Sequence, residues 1–524
     1  MTQHIFHYGE DHLTASIALS LARGEWEGIL SENARQRVRA SQEVVANIVE
    51  AGAAVYGINT GFGPLCTTSI SKEETRVLQS NILQSHSVGV GEPVDTEIAR
   101  LMLVLKLHSL AHGYSGIAES TLDRMLWHLS VGAIPVVPSQ GSVGASGDLA
   151  PLSHLFLPLI GLGKVVYQGE TLTTRELFHR TDQRALDLGP KEGLALINGT
   201  QFIAAHAVKV VESLHGCLSH ADVIGAMMIE GLQGSIKPFH EDLHRLRPYK
   251  GNQHVAARMR ALLSDSEIME DHVDCDRVQD PYSLRCIPQV HGASRNAWLH
   301  LKELLEVELN SVTDNPVVID EELTISGGNF HGQPLAMAID YACLAASELG
   351  NISDRRIYLA LEGNSEGVPK LLMDDTGINS GYMILQYTTA ALASENKGLC
   401  FPSSADSIPT SMGQEDHVSM GSIGGRKALR VLQNVEKILA IELLTAAQAF
   451  EFRKPMKSGA VLDAVHQLVR QHVSFAKEDR VFGEDIEKGI ALIQSGEVLD
   501  TTQKVAAQQQ VSLESAWSNL LETY

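Results

Sequence analysis

Apolar residues recur at three- and four-residue spacings through "TQFIAAHAVKVVESLHGCLSHADVIGAMMIEGL", "QPLAMAIDYACLAASELGNISDRRIYLALE" and "RKALRVLQNVEKILAIELLTAAQAFEF". That period predicts helices. Each stretch exceeds the average globular helix and is apolar over much of its circumference, so the three are expected inside a bundle rather than on its surface. Short Gly/Asn/Pro-rich breaks separate the periodic segments: "INGT", "TDNP", "SGGNFHGQP", "MDDTGINSG" and "FPSSADSIPTSMGQ". Strand patterns are few and early, in "AIPVVP" and "GKVVYQGETL". The pattern predicts a mainly α protein. A mixed N-terminal region over about 1–200 precedes a long-helix bundle and C-terminal helical region over 201–524, the two forming one continuous unit.

Composition narrows the partners. Across 524 residues the formal net charge is -22, which argues against nucleic acid or an anionic membrane as the main partner. It leaves room for an anionic small substrate at a locally basic site. The start, "MTQHIFHYGEDHL", has neither a basic n-region nor an apolar core, and no run long enough to span a bilayer occurs. Cysteines at 66, 217, 275, 286, 343 and 400 show no CxxC spacing, which fits reduced thiols in a cytoplasmic protein.

The most unusual stretch is "VVPSQGSVGASGDLAPLSH", where Ala145-Ser146-Gly147 follow one another inside a Gly-rich turn ahead of a leucine-rich helix. Phosphate binding at the helix N-terminus is disfavoured, because no Lys-Ser/Thr follows the glycines and Asp148 would repel an anion. A nucleophile elbow needs G-x-S-x-G, and Gly144-Ala145-Ser146-Gly147-Asp148 lacks the last glycine. Two readings stay open. In one, Ser146 or Asp148 simply caps the helix. In the other, the turn is tight enough for the Gly147 nitrogen to close on the Ala145 carbonyl carbon, an approach that only glycine permits. Loss of the Ser146 hydroxyl as water would then leave a methylidene electrophile.

The stretch "GSVGASGDLAPLSH" resembles the cofactor-forming signature of the aromatic amino-acid ammonia-lyases. The resemblance runs along the chain through "YGINTGFGPL", "LALINGTQ", "QDPYSLRCIPQVHG", "NSVTDNP", "SGGNFHGQP", "ASENK" and "QEDHVSM". It implies a fumarase/aspartase-like helical architecture, a homotetramer with shared active sites, and a 4-methylidene-imidazol-5-one formed from Ala145, Ser146 and Gly147 with no metal. It also implies roles for residues in this chain. Tyr56 matches the catalytic tyrosine, which must lose its proton far below its ordinary pKa of about 10. Asn198 matches the asparagine beside the cofactor oxygen, and Tyr282 a second active-site tyrosine. Arg285 matches the carboxylate clamp, a role that suits a guanidinium fork. Asp314, Asn315 and Phe330 fall in loops of the same site.

Substrate choice rests on Ser85-His86, the pair typical of histidine enzymes in the family, and on Glu395, which would pair with an imidazole but be stranded against a phenyl ring. Gln414 matches another polar site residue, with Glu415 beside it. The expected reaction is non-oxidative deamination of L-histidine to trans-urocanate and ammonia, the first step of histidine degradation. Tyrosine or phenylalanine, and aminomutase chemistry, are the alternatives. One competing motif, His240-Glu241-Asp242-Leu243-His244, is a literal H-E-x-x-H. Arg247 and Pro248 follow where a zinc protease needs glycine and more helix, so a surface or interface helix is expected there.

Overall fold

A computed structural model describes residues 4–52, 55, 57, 58, 60, 72–272, 278–320 and 322–524. The three periodic stretches form the helices Gln201–Gly231, Gln333–Leu361 and Gly421–Glu451. With Ile287–Leu309 they pack side by side as the central bundle, and Met383–Leu399 lies against two of them. Burial on all sides explains their apolar circumference. From Phe202 to Val211 on the first helix every residue except Lys209 is buried, as is every residue from Cys217 to Gly231. Small residues let backbones approach at the crossings: a Cβ built on Gly425 would lie 2.7 Å from the His206 Cβ.

Strands are short and peripheral. Lys164–Tyr167 pairs with Glu170–Thr173 on one side and with Ile134–Pro135 on the other, all antiparallel. These are the two stretches whose pattern predicts strands. The pair Val90–Pro93 and Pro138–Gln140 frames the entry to the Gly-rich turn. One buried apolar cluster draws residues from Phe6 to Leu521, so the N-terminal region and the bundle share a core. No helix among the described residues is long and apolar enough to cross a membrane.

Ion pairs are also buried inside the bundle. Asp222 accepts from Arg295 at 2.6 Å, from Arg258 at 3.0 Å and contacts His291 at 2.9 Å. Glu522, near the end of the chain, reaches the same cluster, accepting from Arg295 at 2.9 Å and contacting His254 at 2.6 Å. A buried charge without such partners would cost several kcal/mol.

Candidate active site

The turn around Ser146 is compressed. Ser146 has φ 48°, Gly144 φ 86° and Gly147 φ 83°, a left-handed region that side chains enter at a cost. A Cβ on Gly147 would lie 2.1 Å from the Gly199 carbonyl oxygen, so no larger residue fits. Gly199 straps the turn from the other side: its nitrogen donates to the Ser146 carbonyl oxygen at 3.2 Å, and its oxygen accepts from the Asp148 nitrogen at 2.8 Å. The open question about capping resolves unexpectedly. Asp148 makes no side-chain cap on its own helix, Leu149–Phe156. Its Oδ2 instead accepts from the Phe202 and Ile203 nitrogens at 3.0 and 2.9 Å, at the start of the long helix Gln201–Gly231. Ser142 Oγ donates to the other oxygen at 3.0 Å. Burial pushes this carboxyl up to about 7.

Three further segments converge on the turn. The loop ahead of Gly421–Glu451 and the first turn of that helix bond along it, with the Met420 nitrogen donating to the Val143 oxygen at 2.9 Å and Ser422 Oγ to the Ser142 oxygen at 2.6 Å. From that loop Glu415 accepts a hydrogen bond from Ser146 Oγ at 3.0 Å. A bridge between Thr410 and Glu415 fixes its backbone, and Thr410 Oγ1 donates to Oε2 at 3.2 Å. Ser85 and His86 close the helix Lys72–His86, with Ser85 Oγ 3.0 Å from His86 Nδ1. Burial lowers the His86 pKa, against a hydrogen bond to the Ile82 carbonyl and the field of the Glu415 carboxylate.

Behind the turn, Asn198 is buried and its Oδ1 has no hydrogen-bond partner among the described residues. A buried acceptor left without a partner is costly in a finished structure, and here it marks space beside the turn for a further group. The Asn198 backbone oxygen accepts from the ammonium of Lys106. Asn315 Oδ1 accepts from the Gly327 nitrogen at 2.7 Å, bracing the loop that leads to the half-buried Phe330. Asp314 is held by Lys191 at 2.6 Å, both side chains buried. His331 then contacts the His417 oxygen at 3.2 Å, which ties this loop to the one bearing Glu415.

Among the described residues, other predicted site residues make no hydrogen bond to Ser146. Tyr56 is outside the described residues. Tyr282 is 71% exposed and carries the Arg285 guanidinium over its ring at 4.5 Å. Arg285 Nε also donates to the Asp280 oxygen at 2.9 Å. No hydrogen bond joins either to the turn among the described residues. Glu395 is exposed on the helix Met383–Leu399 and pairs with Arg430 at 2.6 Å. Gln414 is exposed, while its neighbour Glu415 is the carboxylate that meets Ser146. His240 caps its own short helix by accepting from the Asp242 nitrogen, and His244 Nε2 contacts the Pro238 oxygen at 2.9 Å. The two imidazoles of that motif thus serve local structure. Sequence reasoning passed over Lys106, whose signal was a single charge inside the otherwise apolar "LMLVLKL".

Comparison with known proteins places the whole chain in one family. Residues 13–471 match the family model described as aromatic amino acid lyase. A histidine ammonia-lyase of Natranaerobius thermophilus is 46% identical over 477 residues, covering 91% of this chain and 94% of the relative. The crystal structure of a histidine ammonia-lyase from Trypanosoma cruzi superposes with a TM-score of 0.88 at 40% identity, over 96% of this chain and 95% of that one. A tyrosine aminomutase from Streptomyces globisporus superposes with a TM-score of 0.90 at 34% identity, over 95% and 98%.

Proposed function

The chain belongs to the aromatic amino acid lyase family, and from that premise we propose that it deaminates L-histidine to trans-urocanate and ammonia. The observation that carries the choice of substrate is the Glu415 carboxylate, hydrogen-bonded to Ser146 and felt by His86. A carboxylate beside the reacting centre matches an imidazole, which can donate to it. Against a phenyl ring its Oε1, which loses the Ser146 donor on maturation, would be desolvated without a partner, while Thr410 still holds Oε2. The relatives named histidine ammonia-lyase support the same reading.

The compressed turn supports maturation of Ala145, Ser146 and Gly147 into a methylidene-imidazolone. In that reaction the Gly147 nitrogen bonds to the Ala145 carbonyl carbon, whose oxygen leaves as water, and the Ser146 hydroxyl leaves as a second water. The resulting electrophile supplies an acceptor that no ordinary side chain offers. Around it the chain's own residues bind and orient. Arg285 clamps the substrate carboxylate through two parallel hydrogen bonds, with Tyr282 beneath it. Glu415, Ser85 and His86 face the imidazole, and Asn315 and Phe330 shape the same pocket. Tyr56 takes the β-proton, and Asn198 donates toward developing negative charge. The exposure of Tyr282, and an Arg285 whose Nε donates to the Asp280 oxygen rather than to the turn, support a homotetramer in which a second copy completes each site. Glu395 and Gln414 would act across that same boundary. Free thiols at Cys217, Cys286, Cys343 and Cys400 support a reducing, cytoplasmic setting.

The test mixes purified protein with L-histidine, L-tyrosine and L-phenylalanine separately and follows the ultraviolet absorbance of each unsaturated acid, with Ser146→Ala as control. Urocanate forming fastest, and lost in the control, is expected. Coumarate or cinnamate forming faster would overturn the substrate, and a β-amino acid product would move the chain to the aminomutases.

A further inference from the structure

Lys106 sits in the helix Thr96–Ala111 among buried apolar neighbours and is itself 1% exposed. Burying an ammonium costs several kcal/mol unless it does something in return. It is not the partner of the nearby Asp314, which already has Lys191 at 2.6 Å. Nor does it bond to Asp148, whose oxygens take the Phe202 and Ile203 amides and the Ser142 hydroxyl. Its Nζ donates to the backbone oxygen of Asn198. The nitrogen of that same peptide group belongs to Gly199, and it donates to the Ser146 carbonyl oxygen.

We propose that Lys106 is a positioning residue for maturation of the Ala145-Ser146-Gly147 turn, acting through the Asn198–Gly199 peptide on the Ser146 carbonyl. This rests on the maturation described above. A peptide group is conjugated, so a cation on its oxygen draws density away from its nitrogen and makes the N–H a stronger donor. Chains of hydrogen bonds reinforce one another in this way at low dielectric. The Ser146 carbonyl is where that strengthening matters. When Ser146 gives up its α-proton, the electron pair moves onto this oxygen. It returns to form the Cα–Cβ double bond as Oγ departs, and hydroxyl and proton leave together as water. A donor fixed at that oxygen before reaction stabilises the charge without reorganisation. The same strap holds Gly147 against Gly199. Burial pushes the Lys106 pKa down to about 8, which leaves the ammonium mostly charged near neutrality.

Intact mass tests this without relying on turnover. Wild type, Lys106→Met, Lys106→Gln, Lys106→Arg and Lys191→Met are sampled during cell-free synthesis, with circular dichroism and melting as checks of folding. Wild type, Lys106→Arg and Lys191→Met are expected to end two waters lighter than their encoded masses. Lys106→Met and Lys106→Gln are expected to fold yet lose the water at least about tenfold more slowly, a fraction of the effect of deleting an oxyanion donor outright. Lys106→Gln keeps an N–H for the Asn198 oxygen but no charge, so it decides the matter if Lys106→Met does not fold. Complete water loss in Lys106→Gln at the wild-type rate would overturn the proposal. So would equal slowing in Lys191→Met, which would mean that any buried ammonium matters only for folding. Wild type remaining at its encoded mass would instead overturn the maturation reading itself.

Discussion

Replacing Asp148 with asparagine should flatten part of the pH dependence of stability while leaving the fold intact. The side chain is fully buried, and burial lifts its carboxyl to about 7 from an ordinary 3.8, against the Ile203 amide, the Ser142 hydroxyl and the Phe202 amide that favour the charge. Between those values the folded chain holds a proton that the unfolded chain has released. Stability therefore falls as pH rises from about 4 to about 7 and levels off above it. A gap of roughly three units corresponds to about 4 kcal/mol. Asparagine preserves the hydrogen bonds: its oxygen can face the two helix amides while its amide group donates to Ser142. Buried histidines work in the opposite direction. His108 is lowered to about 3 and His128, His206 and His220 to about 4, all first by burial, so they add stability as pH rises through the acid range. They are present in both proteins and cancel in the difference. For a chain of this length the unfolding entropy is roughly 1.1 kcal/mol per kelvin. Asp148→Asn should thus gain about 3 °C of melting temperature relative to wild type between pH 4.5 and pH 8. Melting both at matched concentration across that range measures it. A difference that stays constant with pH would refute the reasoning.

Gly147→Ala should block maturation, because its Cβ meets the Gly199 oxygen at 2.1 Å; intact mass staying at the encoded value checks this. The left-handed strain and the two backbone bonds at Gly199 together cost about 3–4 kcal/mol, so its melting point should drop by about 3 °C. Glu415→Gln should lower kcat/KM for histidine by about a hundredfold, the scale of one hydrogen bond to a charged group. An unchanged ratio of histidine to phenylalanine turnover would refute its role in specificity. Glu522→Ala removes the second carboxylate from the fully buried Arg295. Although burial raises it, Arg295, His215, His254 and Arg258 hold the Glu522 carboxyl well below the usual range. The loss should cost about 3 kcal/mol, and calorimetry of the variant reports it.

How much of this was legible depended on which physical signal each element carries. The long helices were plain because three- and four-residue periodicity persists over many turns and nothing else produces it. The strands around Ile134 and Lys164 were legible from their β-branched runs, whereas Val317–Val318 and Thr324–Ile325 are too short to leave a period. The Ser146 turn was legible because three small residues in a row serve neither packing nor charge, yet the partner of Asp148 was not. A carboxylate at a turn looks like a local cap, and only the fold brings the start of Gln201–Gly231 beneath it. Lys106 was missed for a related reason. A lysine is read as the solvated face of a helix, and this one is recognisable only because no face of its helix is solvated. The two glutamates make the sharpest contrast. Both lie in motifs that the family resemblance points to, but a sequence does not say which way a side chain is aimed. Within the chain Glu395 faces outward to Arg430, beside an Asn396 that turns inward to Asn434 at 2.9 Å. Glu415 is turned onto Ser146 by the Thr410 bridge. Ser146, Glu415 and Asn198 are thus brought to one place by contacts within the chain. Tyr282 and Glu395 are exposed instead, and the half-buried Arg285 is held by the Asp280 oxygen, so the contacts that a motif suggests for these three are not made within the chain among the described residues.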